Sequence, residues 1–113
     1  MKVFKLTFLL AFTYSICIAQ SIHDLDSAKH LLAIAKHDTN RVLISVGLCD
    51  LYRNSNVDSS VIYGQKALTM AQSIRFLRGE ARALFTLGIT NRVLGDIPKA
   101  LELSFKGLQI AEK

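Results

Sequence analysis

The sequence predicts an all-α protein, an α-α hairpin superhelix of about two repeats led by a half-repeat helix. Three observations carry this expectation. The chain echoes itself at a constant offset of forty residues. Val57-Asp58-Ser59-Ser60-Val61, Lys66-Ala67-Leu68 and Ala71 lie over Ile97-Pro98-Lys99-Ala100-Leu101, Lys106-Gly107-Leu108 and Ala111. Small stands over small and apolar over apolar, and a fixed period in this range belongs to stacked two-helix units rather than to a closed globular core. Apolar residues recur at three- and four-residue steps, with no stretch of strict alternation. Short polar clusters (Asp38-Thr39-Asn40, Asn54-Ser55-Asn56, Gly95-Asp96) punctuate the periodic segments.

The first residues stand apart from the fold. Lys2 and Lys5 form a positive n-region, Leu6 to Ile18 is mostly apolar, and Cys17-Ile18-Ala19 places small residues at −3 and −1 of a cut before Gln20. Residues 1–19 therefore read as a cleaved secretory signal peptide. An uncleaved anchor and a lipoprotein are the other readings. Polar Gln20, Ser21, His23 and Asp24 end the apolar run short of the roughly 20 residues a span requires, and bulky Ile16 suits a lipid-attachment box poorly. The expected location is exported, periplasmic or secreted, with no membrane span in the mature chain. Loss of Lys2 and Lys5 lowers the formal charge from +5 to +3, and the remaining basic residues are scattered. With export, this argues against nucleic acid as a partner. Cys17 leaves with the signal, so Cys49 stands alone and the fold rests on packing without an internal disulfide.

Residues 20–37 form the leader, with Leu25, Ala28, Leu31, Leu32 and Ala35 drawing one apolar stripe from about Asp24 to Lys36. Asp38-Thr39-Asn40 supplies capping residues and a break. The second helix, about Arg41 to Arg53, is apolar over the broad arc of Val42, Leu43, Val46, Leu48 and Leu51, as suits packing on two sides. Asn54-Ser55-Asn56 turns the chain, and Asp58 is placed to cap a third helix through Val61, Ile62, Ala67, Leu68 and Ala71 to about Ile74. Arg78-Gly79-Glu80 opens the fourth, patterned by Ala81, Ala83, Leu84, Leu87, Gly88 and Leu94. Gly95 sits where a left-handed stop is wanted. Asp96 then caps the fifth, Pro98 fits its first turn, and Ala100, Leu101, Leu103, Leu108 and Ile110 carry it to the chain end. The hairpins divide at about 38–77 and 78–113. Gly88 and Ala100 occupy the crossing inside the second hairpin, where helices close to about 8–9 Å only over small side chains.

These residues resemble the tetratricopeptide repeat. Leu84 stands where that family favours a large apolar residue, Leu87-Gly88 matches its Leu-Gly pair, Gly95-Asp96 its turn, Ala100 its small residue and Gly107-Leu108 its Ala-Leu. Asn91, Ser104 and Glu112 depart from the pattern, replacing a Tyr, an aromatic and a Pro. The earlier repeat keeps Ala67-Leu68 and Ser60, but Gly47-Leu48 reverses the Leu-Gly order and Tyr52 lies one place late. The forty-residue spacing exceeds the usual 34, which implies an extra part-turn per helix. Asp38-Thr39-Asn40-Arg41, Asp58-Ser59-Ser60 and Gly79-Glu80-Ala81-Arg82-Ala83 are also similar to exported repeat regions of Bacteroidetes-type signalling proteins. There, such repeats precede a membrane helix and an output domain. On that likeness the chain is a sensor's N-terminal piece or a stand-alone remnant.

In the family the first helix of each pair lines a concave groove. Carried over by position, the groove residues are Val42, Ser45, Val46, Cys49, Tyr52 and Arg53 in one repeat. In the next they are Arg82, Phe85, Thr86, Ile89, Arg92 and Val93. The resemblance implies an apolar groove with Arg at its rim, suited to a protein or peptide ligand, and Phe85, Tyr52 and Arg92 are the expected anchors. Burial of these residues under the next helix of a longer array is the competing structural reading. The carboxylate grip of some family members is missing at Ser45 and Cys49.

Nothing else in the chain gathers into a reacting centre. His23, His30 and His37 recur every seventh residue, about 10 Å per step along a helix, whereas a helical metal pair wants i, i+4. They read as surface histidines. Cys49 reads as a small packed side chain, and Gly88, Gly95 and Gly107 as packing and turn glycines. The expected function is a protein–protein interaction module, the periplasmic sensing part of a signal-transduction receptor. A self-associating scaffold is the alternative, with a second copy as partner and Leu103, Leu108 and Ile110 as the face in need of cover. No catalytic residue, cofactor or metal is expected. Mass spectrometry of the exported product tests the signal reading: the mature chain should begin at or near Gln20, and a product retaining Met1 refutes it.

Overall fold

The computed structural model describes residues 25–113, so the expected signal segment and His23 lie outside the described residues. Five α-helices follow one another: α1 (Leu25–Ile34), α2 (Asp38–Tyr52), α3 (Val57–Ser73), α4 (Leu77–Val93) and α5 (Ile97–Ala111). No strand occurs among the described residues. Each helix packs on its neighbour in sequence, and α4 also packs on α2. That extra contact turns two helical hairpins, α2–α3 and α4–α5, into a stack.

The starts of the helices differ in part from the sequence reading. Asp38-Thr39-Asn40 does not precede α2 but forms its first turn, behind an extended His37 that gives no side-chain cap. Asp38 there complements the positive end of the helix dipole. At α3 the cap is Asn56, whose side chain accepts from the Ser59 amide at 3.2 Å, so Asp58 lies within the first turn. Asp96 caps α5 as its sequence position suggests, accepting from the Lys99 amide at 3.1 Å, with Pro98 in the first turn.

The turn inside the second hairpin and the turn that joins the two hairpins share one geometry. Gly95, at φ +84°, follows the C-cap of α4, its amide donates to the Arg92 carbonyl, and the Asp96 amide donates to the Asn91 carbonyl at 2.9 Å. This is the Schellman pattern, which needs a left-handed residue. After α3 the same two bonds run from Arg75 to Gln72 and from Phe76 to Ala71, with Arg75 at φ 54°. A side chain in that region crowds the following carbonyl. Phe76 compensates by packing its ring on the α2–α3–α4 core.

Two contiguous apolar clusters form the core. Val42, Val46, Ala67, Ala71 and Ala83 join α2, α3 and α4, while Leu84, Leu87 and Leu103 join α4 to α5. Leu68 touches both clusters and links them. Glycines set the closest approaches. A Cβ at Gly88 would stand 2.7 Å from the Ser104 hydroxyl and 3.1 Å from the Ala100 carbonyl oxygen, so the expected Gly88–Ala100 crossing is present. In the first hairpin Leu48 takes the Gly88 position and is fully buried, while Gly64 takes the Ser104 position. A Cβ on Gly64 would meet the Leu87 side chain at 2.5 Å and the Cys49 sulfur at 3.0 Å. The small residue has moved from one helix of the crossing to the other.

Two measurements test this packing by chemical unfolding. Gly88→Val places methyl groups against backbone and should cost about 2–3 kcal/mol by overpacking. Arg75→Gly relieves a left-handed side chain and should raise stability by up to about 1 kcal/mol; no gain would show the turn is unstrained.

Candidate functional site

Of the twelve residues that the repeat pattern places on the groove, Val46 and Thr86 are buried, Arg53 is half-buried and Val93 is exposed, and the other eight separate into three environments. Val42, Ser45 and Cys49 are buried, at 0, 3 and 0% exposure, because α4 lies along α2 and covers that face together with α3. Val42 and Cys49 line no accessible surface, which corrects the expectation for the first repeat, and Ser45 only borders a depression with Arg41 of α2 and Gln65 and Thr69 of α3. Tyr52 is half-buried and serves another contact. Its ring stacks on Tyr63 of α3, with centroids 5.5 Å apart and planes 7° from parallel. Lys29 of α1 lies 5.4 Å from the Tyr52 centroid and Lys66 lies 5.5 Å from that of Tyr63, so two cations bracket the aromatic pair. The Lys29 ammonium is held above its ordinary pKa, chiefly by the Tyr52 side chain beside it. This ladder ties the leader helix, whose buried side is Ala28, to the first hairpin.

Arg82, Phe85, Ile89 and Arg92 remain on an open surface. They share one side of α4 with Val93, and Phe85, Ile89 and Val93 are 37, 40 and 51% exposed. Their counterparts forty residues earlier are Ser45, Cys49 and Arg53, and two of those three, Cys49 and Arg53, reach Thr90 of α4. The open strip is thus the face that the preceding hairpin uses to seat a helix. It continues onto α5, since a Cβ at Gly107 would lie 3.4 Å from the Phe85 ring. Beyond it Leu101, Phe105 and Leu108 are exposed at i, i+4 and i+7 of α5. The expectation that Leu103, Leu108 and Ile110 form the uncovered face holds for Leu108 alone. Leu103 is buried against Leu84 and Leu87, and Ile110 is half-buried beside them. Ala100, Leu103 and Gly107 mark the α5 side that meets α4, and rotating from it finds Leu101 and Phe105. The signal was in the helical phase of small residues.

Cys49 belongs to a buried polar junction of three helices. The Ser60 hydroxyl donates to the Cys49 carbonyl at 2.7 Å and lies 3.0 Å from the Thr90 hydroxyl. The Cys49 sulfur sits 3.4 Å from Ser60 and 3.7 Å from Thr90, and Arg53 Nε donates to Thr90 at 3.5 Å. Arg53 also pairs with Asp50. No buried side-chain nitrogen or oxygen among the described residues lacks a partner. The junction locks α2, α3 and α4 in register and leaves no polar atom aimed at a ligand. His30 and His37 are exposed, and no three His, Cys, Asp or Glu side chains gather at metal distance among the described residues. No described helix is long and apolar enough to cross a membrane.

Searches of protein-family models, curated proteins and solved structures find no match to this chain.

The junction makes a measurable prediction. Ser60→Ala fits sterically, since Ala100 holds the equivalent position, but it removes the bonds from the Ser60 hydroxyl to Thr90 and to the Cys49 carbonyl and should cost about 1–2 kcal/mol. Thr90→Val should cost a similar amount, and the double variant clearly less than the sum. Additive losses in urea titrations would show that the hydroxyls act separately.

Proposed function

We propose that this chain is a protein-interaction module of helical hairpins, the exported sensing region of a signal-transduction receptor, and that it engages a protein or peptide on the α4 face. One observation supports the reading: the strip of Arg82, Phe85, Ile89, Arg92 and Val93 runs uncovered into Leu101, Phe105 and Leu108. Isolated exposed apolar residues are ordinary, but a contiguous set bordered by Arg marks an interface. Aromatic and Arg side chains carry most of the energy in such contacts. The molecule also illustrates what this face accepts, because the same side of the first hairpin holds α4. An enzymatic role has no comparable support; the buried nucleophile Cys49 faces hydroxyls that already bond one another.

Self-association is a second reading, favoured by the α5 stripe. Phe105 is 63% exposed, and with Leu101 and Leu108 it forms a side that a second copy would cover. Light scattering separates the two. Self-association predicts a dimer or larger species that Phe105→Glu returns to monomer, whereas the receptor reading predicts a folded monomer throughout.

The α4 face is tested by pull-down from periplasmic extract with the chain carrying Phe85→Ala and Arg92→Ala together. Retention of a specific partner should fall about tenfold or more, as for a lost interface anchor. An unchanged partner list removes the face from the reading.

A further inference from the structure

The first hairpin already receives a further helix, α4, and the second hairpin presents the same seat uncovered. On the first hairpin α4 lays down four residues at i, i+4, i+8 and i+11. Gly79 meets Val42, where an added Cβ would stand 2.8 Å from a methyl carbon. Ala83 joins the cluster of Val46, Ala67 and Ala71. Leu87 lies over Gly64, whose added Cβ would stand 2.5 Å from it. Thr90 meets Cys49, Arg53 and Ser60. Beside this line Leu84, at i+5, belongs to the cluster on which Leu68 packs.

Shifted by forty residues, the seat becomes Arg82, Ile89 and Val93 of α4 with Ala100, Ser104 and Leu108 of α5. Each exchange specifies what a helix seated there must carry. Val42 has become Arg82, which lines one depression with Arg78 and Lys113, and none of these three forms an ion pair among the described residues. Position i therefore calls for a carboxylate, which also suits the first turn of a helix. Gln72, which donates to Glu80 at i+1, has become Glu112, so i+1 reverses to lysine. Gly64 has become Ser104, whose Cβ takes the room that Leu87 uses, so i+8 is alanine. Cys49, Arg53 and Ser60 have become Ile89, Val93 and Ala100. A hydroxyl at i+11 would lose every partner that Thr90 has, and an aliphatic side chain belongs there. Leu108 repeats Leu68 and keeps a leucine at i+5.

We propose that this end of the stack binds an amphipathic α-helix of a partner protein, seated as α4 is seated and running in the same direction. That helix carries an acid at i, lysine at i+1, alanine at i+4 and i+8, and leucine at i+5 and i+11. The inference rests on the α4-face reading and adds the partner's pattern and register. None of the five described helices carries the pattern, which sets a second copy aside as the occupant.

The probe is a fluorescein-labelled helical peptide with that pattern on an alanine–glutamine background, titrated with the full chain by fluorescence anisotropy. Saturable binding is expected. Arg82→Glu should weaken it about tenfold or more, and so should an arginine in place of the peptide's acid. The two changes together should restore most of the affinity. Threonine at i+11 of the peptide should cost about tenfold, the loss of one buried pairing. Leucine at i+8 should also weaken binding, and Ser104→Gly should relieve that loss by recreating the Gly64 seat. The peptide-side changes leave the protein untouched, so they read the register even where a protein variant fails to fold. Absence of saturable binding, or a charge exchange that gives no rescue, overturns the proposal. So does peptide binding that begins only after Phe105→Glu splits a dimer, which would give the seat to a second copy. Loss of the periplasmic partner with Phe85→Ala and Arg92→Ala, while the peptide fails to bind, leaves the α4 face standing and removes only this pattern. An unchanged partner list with a bound, charge-rescued peptide supports the seat and removes the wider reading.

Discussion

The seating of α4 across both helices of the first hairpin is the contact on which the rest depends. It is possible because two glycines open the way. Gly64 on α3 leaves room for Leu87 and for the Cys49 sulfur, and Gly79 on α4 leaves room for Val42 and for the Phe76 ring. The approach buries Val42, Cys49, Ala83 and Leu87 completely and brings Ser60 and Thr90 within 3.0 Å. Apolar burial supplies the driving force, at about 25 cal/mol per Å². The hydroxyl junction adds direction: Ser60 and Thr90 satisfy each other only at one register of α4 against α3. A stack held by apolar contact alone would tolerate sliding; a buried polar pair penalises it.

The same contact distributes the surfaces. By covering the open side of α2, α4 removes the first repeat's groove residues from solvent. By presenting its own equivalent side to nothing, it leaves Phe85, Ile89 and Val93 exposed beside two arginines. The two ends of the stack are therefore unlike. One offers an exposed apolar face that carries the rings of Phe85 and Phe105. The other, at the leader helix, is a shallow depression whose lining exchanges Leu68 and Leu87 of the repeat for Ala28 and Gly47, and Ala71 and Ala83 for Leu31 and Leu43. A perfect repeat would make both ends copies of the internal joint; divergence between the two hairpins is what gives each end its own character.

Exposed charge contributes little to this arrangement. Lys99 and Lys106 flank Glu102 on α5, and the Lys106 ammonium holds that carboxyl below its ordinary pKa. The groups are solvated, so the pairs have small weight in stability. Sign follows from direction: their contribution is present above the ordinary carboxylate pKa and fades as the pH falls through the lowered one. The cation–aromatic ladder of Lys29, Tyr52, Tyr63 and Lys66 matters more locally, because α1 has little else to hold it.

Much of the fold was legible without coordinates. Helical periodicity, the forty-residue echo, the left-handed Gly95, the Asp96 cap and the small pair at Gly88 and Ala100 are local or pairwise patterns, and local chemistry decides them. The α2 start was misread because Asp38-Thr39-Asn40 is as good a first turn as a cap, and the choice depends on what the helix packs against. Arg75 escaped notice because no side-chain type signals a left-handed turn as glycine does. The groove divided for a tertiary reason. Ser45 and Cys49 hold the same repeat positions as Phe85 and Ile89, and position alone cannot say which copy has a neighbour. Whether a residue is core or surface was settled only by α4 coming to rest on α2. That is a long-range contact, made between segments whose pairing no short window of sequence records.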